Sequence, residues 1–141
     1  MKILIVDDME VNLELLEARL EGGGYEVSSA MNGIEALERL KKDSFDMIIS
    51  DILMPKMDGF RLCRACKTDE TLRKIPFVFY TAAYTAKKDK EFALRLGAER
   101  FIVKPTEQKR FMEIIEDMLK NHKKGLLIPP EKPAEKEEPS S

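Results

Sequence analysis

The chain has 141 residues, of which 43% are hydrophobic and 35% charged, and its formal net charge is −2. These values predict one soluble folded domain with a hydrophobic core and argue against a disordered segment. The small net charge gives no electrostatic reason to expect binding to nucleic acid or to a membrane surface. No apolar run approaches the ~20 residues that span a bilayer, and the apolar N-terminus is too short for a signal peptide. The cytoplasm is therefore the expected location.

Apolar segments with strand and helix periodicity alternate along the chain. The first helix carries apolar residues at positions 9, 13, 16 and 20, and three glycines stop it. Asn32 and Glu35 resemble a capping box at the start of the second helix. The predicted order is strand 2–6, helix 9–21, strand 25–30, helix 32–42, strand 46–50, helix 59–69, strand 77–80, helix 87–96, strand 101–103 and helix 106–121.

Five strand–helix repeats of this kind predict an α/β domain with a parallel sheet and helices on both faces. We place the domain at residues 1–121. Residues 122–141 are predicted to be a tail or an interdomain linker, because the last sixteen hold four of the seven prolines and four glutamates and show no periodicity.

Polar side chains stand where four of the five predicted strands end. Because the carboxyl ends of parallel strands open on one edge of the sheet, we expect these side chains to meet there. Three of them are carboxylates, which repel one another unless a cation joins them, and an oxygen-only ligand set suits Mg²⁺. The alternative is an internal salt bridge with a hydroxyl bonded to the backbone, which is improbable for five such residues together. They are Asp7, Asp8, Asp51, Thr81 and Lys104.

Cys63 and Cys66 form a C-x-x-C pattern inside a predicted helix. A zinc site needs four ligands, and the single histidine, His122, lies far along the chain. A redox pair favours a helix start, where the thiol pKa is lowered. We therefore interpret both cysteines as reduced thiols that pack in the core.

Four motifs in order resemble the receiver domain of two-component response regulators. They are Asp7-Asp8, Asp51 with Met54-Pro55-x-Met57-Asp58-Gly59, Thr81-Ala82 and Lys104-Pro105. The resemblance covers residues 1–121. It implies a flavodoxin-like, doubly wound, three-layer fold, with five helices and a five-stranded parallel sheet in the order 2-1-3-4-5.

The resemblance also implies the roles of the site residues. Asp51 would take a phosphoryl group from a phosphohistidine, and Asp8, Asp51 and the Leu53 carbonyl would bind Mg²⁺ or Mn²⁺, with Asp7 acting through water. Thr81, the Ala82 amide and Lys104 would hold the phosphoryl oxygens. Thr81 and Phe101 would form the conformational switch, although many relatives have tyrosine where Phe101 stands. The Lys104–Pro105 peptide would be cis.

The implied partner is a sensor histidine kinase or a phosphotransfer domain. Asn12 and the segment from Asn32 to Leu37 are similar to receivers of hybrid histidine kinases, which would make the domain a phosphorelay intermediate. The segment from Cys63 to Pro76 is similar to receivers fused to diguanylate cyclases. The face formed by helix four, strand five and helix five could mediate homodimerisation or could simply keep the domain soluble.

Two other classes of protein deserve comparison. A Mg²⁺-dependent phosphatase with an aspartate nucleophile places a second aspartate two residues later as general acid, and here that position is Leu53, which cannot transfer a proton. A flavodoxin-like flavin binder needs a phosphate loop after strand one, where this chain has Asp7-Asp8-Met9-Glu10. Both alternatives fit the residues poorly.

Overall fold

The structure, a computed structural model, describes residues 1–123. Strands and helices alternate through all of this region, as the sequence predicts, and one short 3-10 helix at Leu72–Lys74 is added. The elements are β1 (Lys2–Val6), α1 (Glu10–Gly22), β2 (Glu26–Ala30), α2 (Gly33–Lys42), β3 (Met47–Ser50), α3 (Gly59–Lys67), β4 (Phe77–Thr81), α4 (Lys87–Leu96), β5 (Arg100–Val103) and α5 (Gln108–Lys123).

The five strands form one parallel sheet in the order β2-β1-β3-β4-β5. This confirms the predicted flavodoxin-like, doubly wound fold. The register aligns Val6 with Ser50 and Thr81 with Val103. The residues that follow these strand ends therefore emerge at one edge of the sheet, which we call the carboxyl edge.

Each face of the sheet is covered by its own group of helices. Leu4, Val6 and Ile48 point to the side packed by α2, α3 and α4, whereas Ile3, Ile5 and Ile49 point to the side packed by α1 and α5. Alternate side chains of each strand thus pack into two separate cores, which is why these strands are apolar on both faces. None of the helices in residues 1–123 is long and apolar enough to cross a membrane.

The structure corrects the prediction at the ends of several elements. Met9 does not join the buried stripe of α1, because it precedes the first helical residue and is 58% exposed. Asn32 caps α2 as predicted and accepts from the Glu35 amide at 3.0 Å, but the Glu35 carboxylate accepts from the Met31 amide and the Asn32 side chain instead of the Asn32 backbone amide. Helix α5 runs to Lys123, so the first two residues of the predicted tail at 122–141 are helical, and the rest of that tail, 124–141, lies outside the described residues.

Both cysteines lie in the core as predicted, buried on the inner face of α3. Burial raises the pKa of the Cys63 thiol well above its usual value, and it raises the pKa of Cys66 to about 12. Both thiols are consequently protonated at neutral pH and act as packing groups.

A buried ion pair lies at the amino ends of β4 and β5, on the side of the sheet opposite the carboxyl edge. The Lys67 ammonium is fully buried and donates to the carbonyls of Arg73 and Ile75 at 3.0 and 2.9 Å and to the Glu99 carboxylate at 2.9 Å. The second Glu99 oxygen accepts from the amide of Phe77, the first residue of β4, at 2.7 Å. This cluster joins the end of α3 to the starts of β4 and β5, far along the strands from the carboxyl edge.

Candidate functional site at the carboxyl edge

Asp51 lies at the centre of the carboxyl edge, directly after β3. Its Oδ1 accepts from the Ile52 amide at 2.7 Å and from the Thr81 hydroxyl at 2.6 Å. Its Oδ2 accepts from the Lys104 ammonium at 3.2 Å. Three of the predicted site residues therefore meet by direct hydrogen bonds.

Lys104 links two carboxylates across the sheet. Its ammonium lies 3.1 Å from Asp7 Oδ2 and 3.2 Å from Asp51 Oδ2, and it sits 5.0 Å from the centre of the Tyr80 ring. Burial acts to lower the pKa of Lys104, but the charges of Asp51 and Asp7 outweigh it, so the pKa is raised. The ammonium is thus held in its charged form. The Lys104–Pro105 peptide is cis, as the resemblance implies.

Asp7 is buried and has partners on both oxygens. Its Oδ1 accepts from the Met9 amide at 2.9 Å, and its Oδ2 accepts from the Asn12 side chain at 3.2 Å as well as from Lys104. The sequence interpretation cited Asn12 only for its resemblance and missed this contact. An amide side chain in the first turn of the helix that follows an acidic strand end is the signal that could have indicated it.

Asp8 differs from Asp7 because it is exposed and carries an unfavourable charge. Desolvation raises its pKa first, and the charges of Asp7 and Asp51 raise it further. The carboxyl edge therefore holds more negative charge than Lys104 alone balances.

Gly59 allows α3 to begin close to the backbone of Asp51. A Cβ at this position would collide with the Asp51 carbonyl oxygen and would lie 2.9 Å from the Ile52 Cα. The Gly59 amide donates to the Ile52 carbonyl at 2.8 Å, and the Asp58 side chain caps the helix by accepting from the Arg61 amide. Ser50 adds a hydroxyl bond of 2.7 Å to the same Asp51 carbonyl. The Asp-Gly pair thus fixes the loop that follows Asp51.

The remaining predicted residues lie around this centre. Leu53 is 55% exposed beside Asp51, and Ala82 is exposed directly after Thr81. Phe101 does not contact the site carboxylates. Its half-buried ring packs against Phe79, with the ring centres 6.0 Å apart. The structure therefore brings Asp7, Asp8, Asp51, Thr81 and Lys104 together and leaves Phe101 behind them.

The donor set fits a Mg²⁺ ion that keeps several waters. Within residues 1–123, no three carboxylate, imidazole or thiol side chains converge to hold a metal by themselves. Mg²⁺ ordinarily uses one or two carboxylates with carbonyl, water and phosphoryl oxygens, so three converging side chains are not required. Desolvation and then the charges of Asp7 and Asp51 raise the pKa of Asp8, and a divalent cation beside these carboxylates would offset that repulsion.

We expect Asp8→Asn to raise the melting temperature at neutral pH when divalent cations are chelated. Because the folded-state pKa of Asp8 lies above its unfolded value, ionised Asp8 destabilises the fold above that pKa and ceases to do so as the pH falls through it. The difference between variant and wild type should therefore be largest near pH 7 and shrink towards pH 4. Thermal unfolding in EDTA measures it.

Asp117→Asn, which changes an exposed carboxylate, serves as the control. Mg²⁺ should raise the melting temperature of the control variant and of the wild type, but it should not raise that of Asp8→Asn. A lower melting temperature for Asp8→Asn at pH 7 would contradict the electrostatic argument.

Comparison with known proteins identifies the family. Residues 3–116 match the model of the response regulator receiver domain. The polar-differentiation response regulator DivK of Brucella anthropi is 36% identical over 117 residues, which cover 83% of this chain and 94% of DivK. The response regulator PleD of Caulobacter vibrioides is 47% identical over 104 residues, or 74% of this chain. The chain belongs to the receiver domains of two-component response regulators.

Solved structures agree with this assignment. The signal receiver domain of a signal transduction histidine kinase from Syntrophus aciditrophicus is 36% identical, with a TM-score of 0.75 over 92% of this chain and 94% of that one. The receiver domain of the sensor histidine kinase PA1611 from Pseudomonas aeruginosa, 28% identical with a TM-score of 0.76 over 84% of this chain and 97% of that one, holds a magnesium ion in its active-site cleft. This chain spans only 23% of the length of PleD.

Receiver domains are signalling modules that interact with histidine kinases or phosphotransfer proteins, and they generally bind Mg²⁺ in the active site.

Proposed function

We propose that Asp51 accepts a phosphoryl group from the phosphohistidine of a sensor histidine kinase or a phosphotransfer domain. One observation carries this proposal. The Thr81 hydroxyl, at 2.6 Å, and the Lys104 ammonium, at 3.2 Å, both bind the Asp51 carboxylate at the carboxyl edge. A hydroxyl and an ammonium are the partners that a transferred phosphoryl group needs.

The transfer exchanges one bond to phosphorus for another. A carboxylate oxygen of Asp51 attacks phosphorus, the P–N bond to the donor imidazole breaks, and its electron pair stays on the ring nitrogen. Lys104, Thr81 and the Ala82 amide then bind the phosphoryl oxygens. When bound by Asp8, Asp51 and the Leu53 carbonyl, with Asp7 acting through water, Mg²⁺ or Mn²⁺ would supply positive charge for the phosphoryl oxygens.

We extend the proposal to a conformational switch. The Thr81 hydroxyl donates to Asp51 and accepts from the Ala83 amide at 3.0 Å, so a phosphoryl group that captures this hydroxyl also releases the loop before α4. Phe101 lies on β5 opposite Phe79 of β4, and it moves into the space that Thr81 leaves. A shift from mostly off to mostly on needs roughly 5 kcal/mol, and two or three charge-assisted bonds of about 1.5–3 kcal/mol each are of that size.

Beryllofluoride with Mg²⁺, as a mimic of the acyl phosphate, should shift the NMR signals of Thr81, Phe101 and α4 together. Thr81→Ala should weaken this coupling. Shifts confined to Asp51 and its own loop would contradict the switch and favour a simple phosphate relay.

Two further parts of the proposal concern assembly. The face of α4, β5 and α5 carries Leu94, 52% exposed, and is the proposed homodimer face. Sedimentation of the phosphorylated chain tests it, and a monomer at all concentrations would exclude it.

The parent protein is a single-domain regulator, a hybrid kinase or a diguanylate cyclase, and the full-length gene distinguishes these three.

The first experiment is incubation with acetyl phosphate and Mg²⁺, followed by intact mass measurement. A receiver gains one phosphoryl group per chain, whereas Asp51→Asn gains none while keeping its circular dichroism spectrum. Rapid turnover of acetyl phosphate without a stable adduct would favour the phosphatase alternative instead.

A further inference from the structure

A groove of about 530 Å³ opens beside the candidate phosphorylation site, and of its lining residues the proposed transfer uses only the Leu53 carbonyl. The loop after β3 forms one wall and the loop between β4 and α4 forms the other. Its lining is apolar apart from a threonine, a tyrosine and one carboxylate: Leu53, Ala83, Tyr84, Thr85, Ala86 and Asp89. Its volume lies within the range of sites that bind small molecules or single side chains.

Asp89 is the only acidic residue in this lining, and it is 5% exposed. One of its oxygens, Oδ2, accepts from the Ala86 amide at 3.2 Å. The other, Oδ1, has no hydrogen-bond donor among residues 1–123 and less than 1 Å² of exposed surface. Because a buried carboxylate oxygen without a partner is unfavourable, a donor that enters the groove and shifts its wall enough to reach Oδ1 gains a hydrogen bond that the unliganded protein lacks.

Asp89, the one charged residue in the lining, favours a cationic ligand. Lys87 at the start of α4 is 92% exposed and already lies 3.8 Å from Glu91, so solvent screens it. The aromatic ring of Tyr84 in the wall suits a planar guanidinium, which stacks on aromatic faces and forms several hydrogen bonds to a carboxylate. An aliphatic stem would pack against Leu53 and Ala83.

Leu53 also joins the groove to the reaction centre, since it is two residues from Asp51. A protein that presents a phosphohistidine to Asp51 must therefore cover this edge. We infer that the groove receives an arginine side chain of the phosphodonor protein, whose guanidinium pairs with Asp89. This inference rests on the proposed function, because it assumes that a phosphodonor docks at the carboxyl edge.

Binding in the groove is coupled to Asp51 through one hydroxyl. The Thr81 hydroxyl joins Asp51 to the Ala83 amide, and Ala83 lies in the groove wall. Phosphorylation adds negative charge near Leu53, so it strengthens the binding of the arginine. Linkage then requires that a docked arginine favour phosphorylation to the same extent.

The test is an NMR titration of the full 141-residue chain, unphosphorylated, with N-acetyl-arginine-N-methylamide as the probe. Saturable shifts are expected for the amides of Ala83, Tyr84, Ala86 and Asp89. Asp89→Asn, which keeps the shape and a capping oxygen, should weaken binding by at least about tenfold. Glu91→Gln, an exposed carboxylate on the same helix, should leave binding unchanged.

Three results would overturn the inference. They are no saturable shifts, equal binding of the uncharged citrulline amide, and equal binding by Asp89→Asn. Tighter binding of spermidine than of the arginine amide would overturn the assignment to a protein side chain. Beryllofluoride with Mg²⁺ should strengthen binding by at least about fivefold, and an unchanged affinity would refute the coupling. Because the first titration needs no phosphorylation, its failure is separate from failure of the Asp51 assignment.

Discussion

Lys104→Met is expected to slow phosphorylation of the chain by about 100- to 1,000-fold, the usual effect of removing one positioned charge from a reaction centre. In the resting site this ammonium lies between Asp7 and Asp51 at 3.1 and 3.2 Å. When a phosphoryl group arrives, the Lys104 ammonium is the one side-chain cation of the described site that can bind the transferred oxygens. Methionine keeps most of the volume but removes the charge.

The rate is measured with acetyl phosphate at saturating Mg²⁺, by intact mass against time. Lys87→Met removes a 92% exposed lysine and should keep the wild-type rate. Lys104→Arg keeps the charge but changes its geometry, so an intermediate rate is expected. If Lys104→Met is labelled within about threefold of the wild-type rate, the ammonium has no electrostatic role in the transfer, since even one lost charge-assisted bond slows a reaction about tenfold or more.

Glu99→Ala is expected to lower the free energy of unfolding by about 3–5 kcal/mol, the loss that follows when one partner of a buried ion pair is removed. The Lys67 side chain is fully buried, and it would keep two carbonyls but no counter-charge. The Phe77 amide at the start of β4 would also lose its acceptor. Urea unfolding at pH 7 measures the change.

Two variants separate this buried pair from an ordinary surface charge. Glu91→Ala breaks a 3.8 Å pair with the exposed Lys87 and should change the free energy of unfolding by at most about 1 kcal/mol. Adding Lys67→Met to Glu99→Ala should restore part of the lost stability, because the unpaired charge is then gone. A double variant less stable than Glu99→Ala would show that Lys67 stabilises the fold mainly through its two carbonyl bonds.

The carboxyl edge was predictable from the sequence because topology alone brings strand ends together. Once strands and helices alternate, Asp7, Asp51, Thr81 and Lys104 must emerge on one side, whatever the details of packing. Element ends were less predictable. Met9 has helical spacing with Leu13 but stands outside α1, because it forms the extended residue before the helix.

The contacts that needed the structure are those between distant polar residues. Lys67 looks like a solvated base in the last turn of a helix, and Glu99 lies 32 residues later. Only the packing of α3 against the starts of β4 and β5 makes them a buried pair. Asp89 likewise resembles an ordinary acid in the first turn of a helix. Its unpartnered oxygen becomes apparent only in the folded structure.

The phosphoacceptor is tested most directly by locating the adduct in the chain. The chain is first labelled with acetyl phosphate and Mg²⁺. Borohydride then reduces the aspartyl phosphate to homoserine, with release of phosphate. Tandem mass spectrometry of the digest then reads the modified position. The account predicts homoserine at position 51 alone and none in a sample without phosphodonor. Homoserine at position 7 or 8, or a stable phosphoryl adduct that borohydride does not convert, would contradict it.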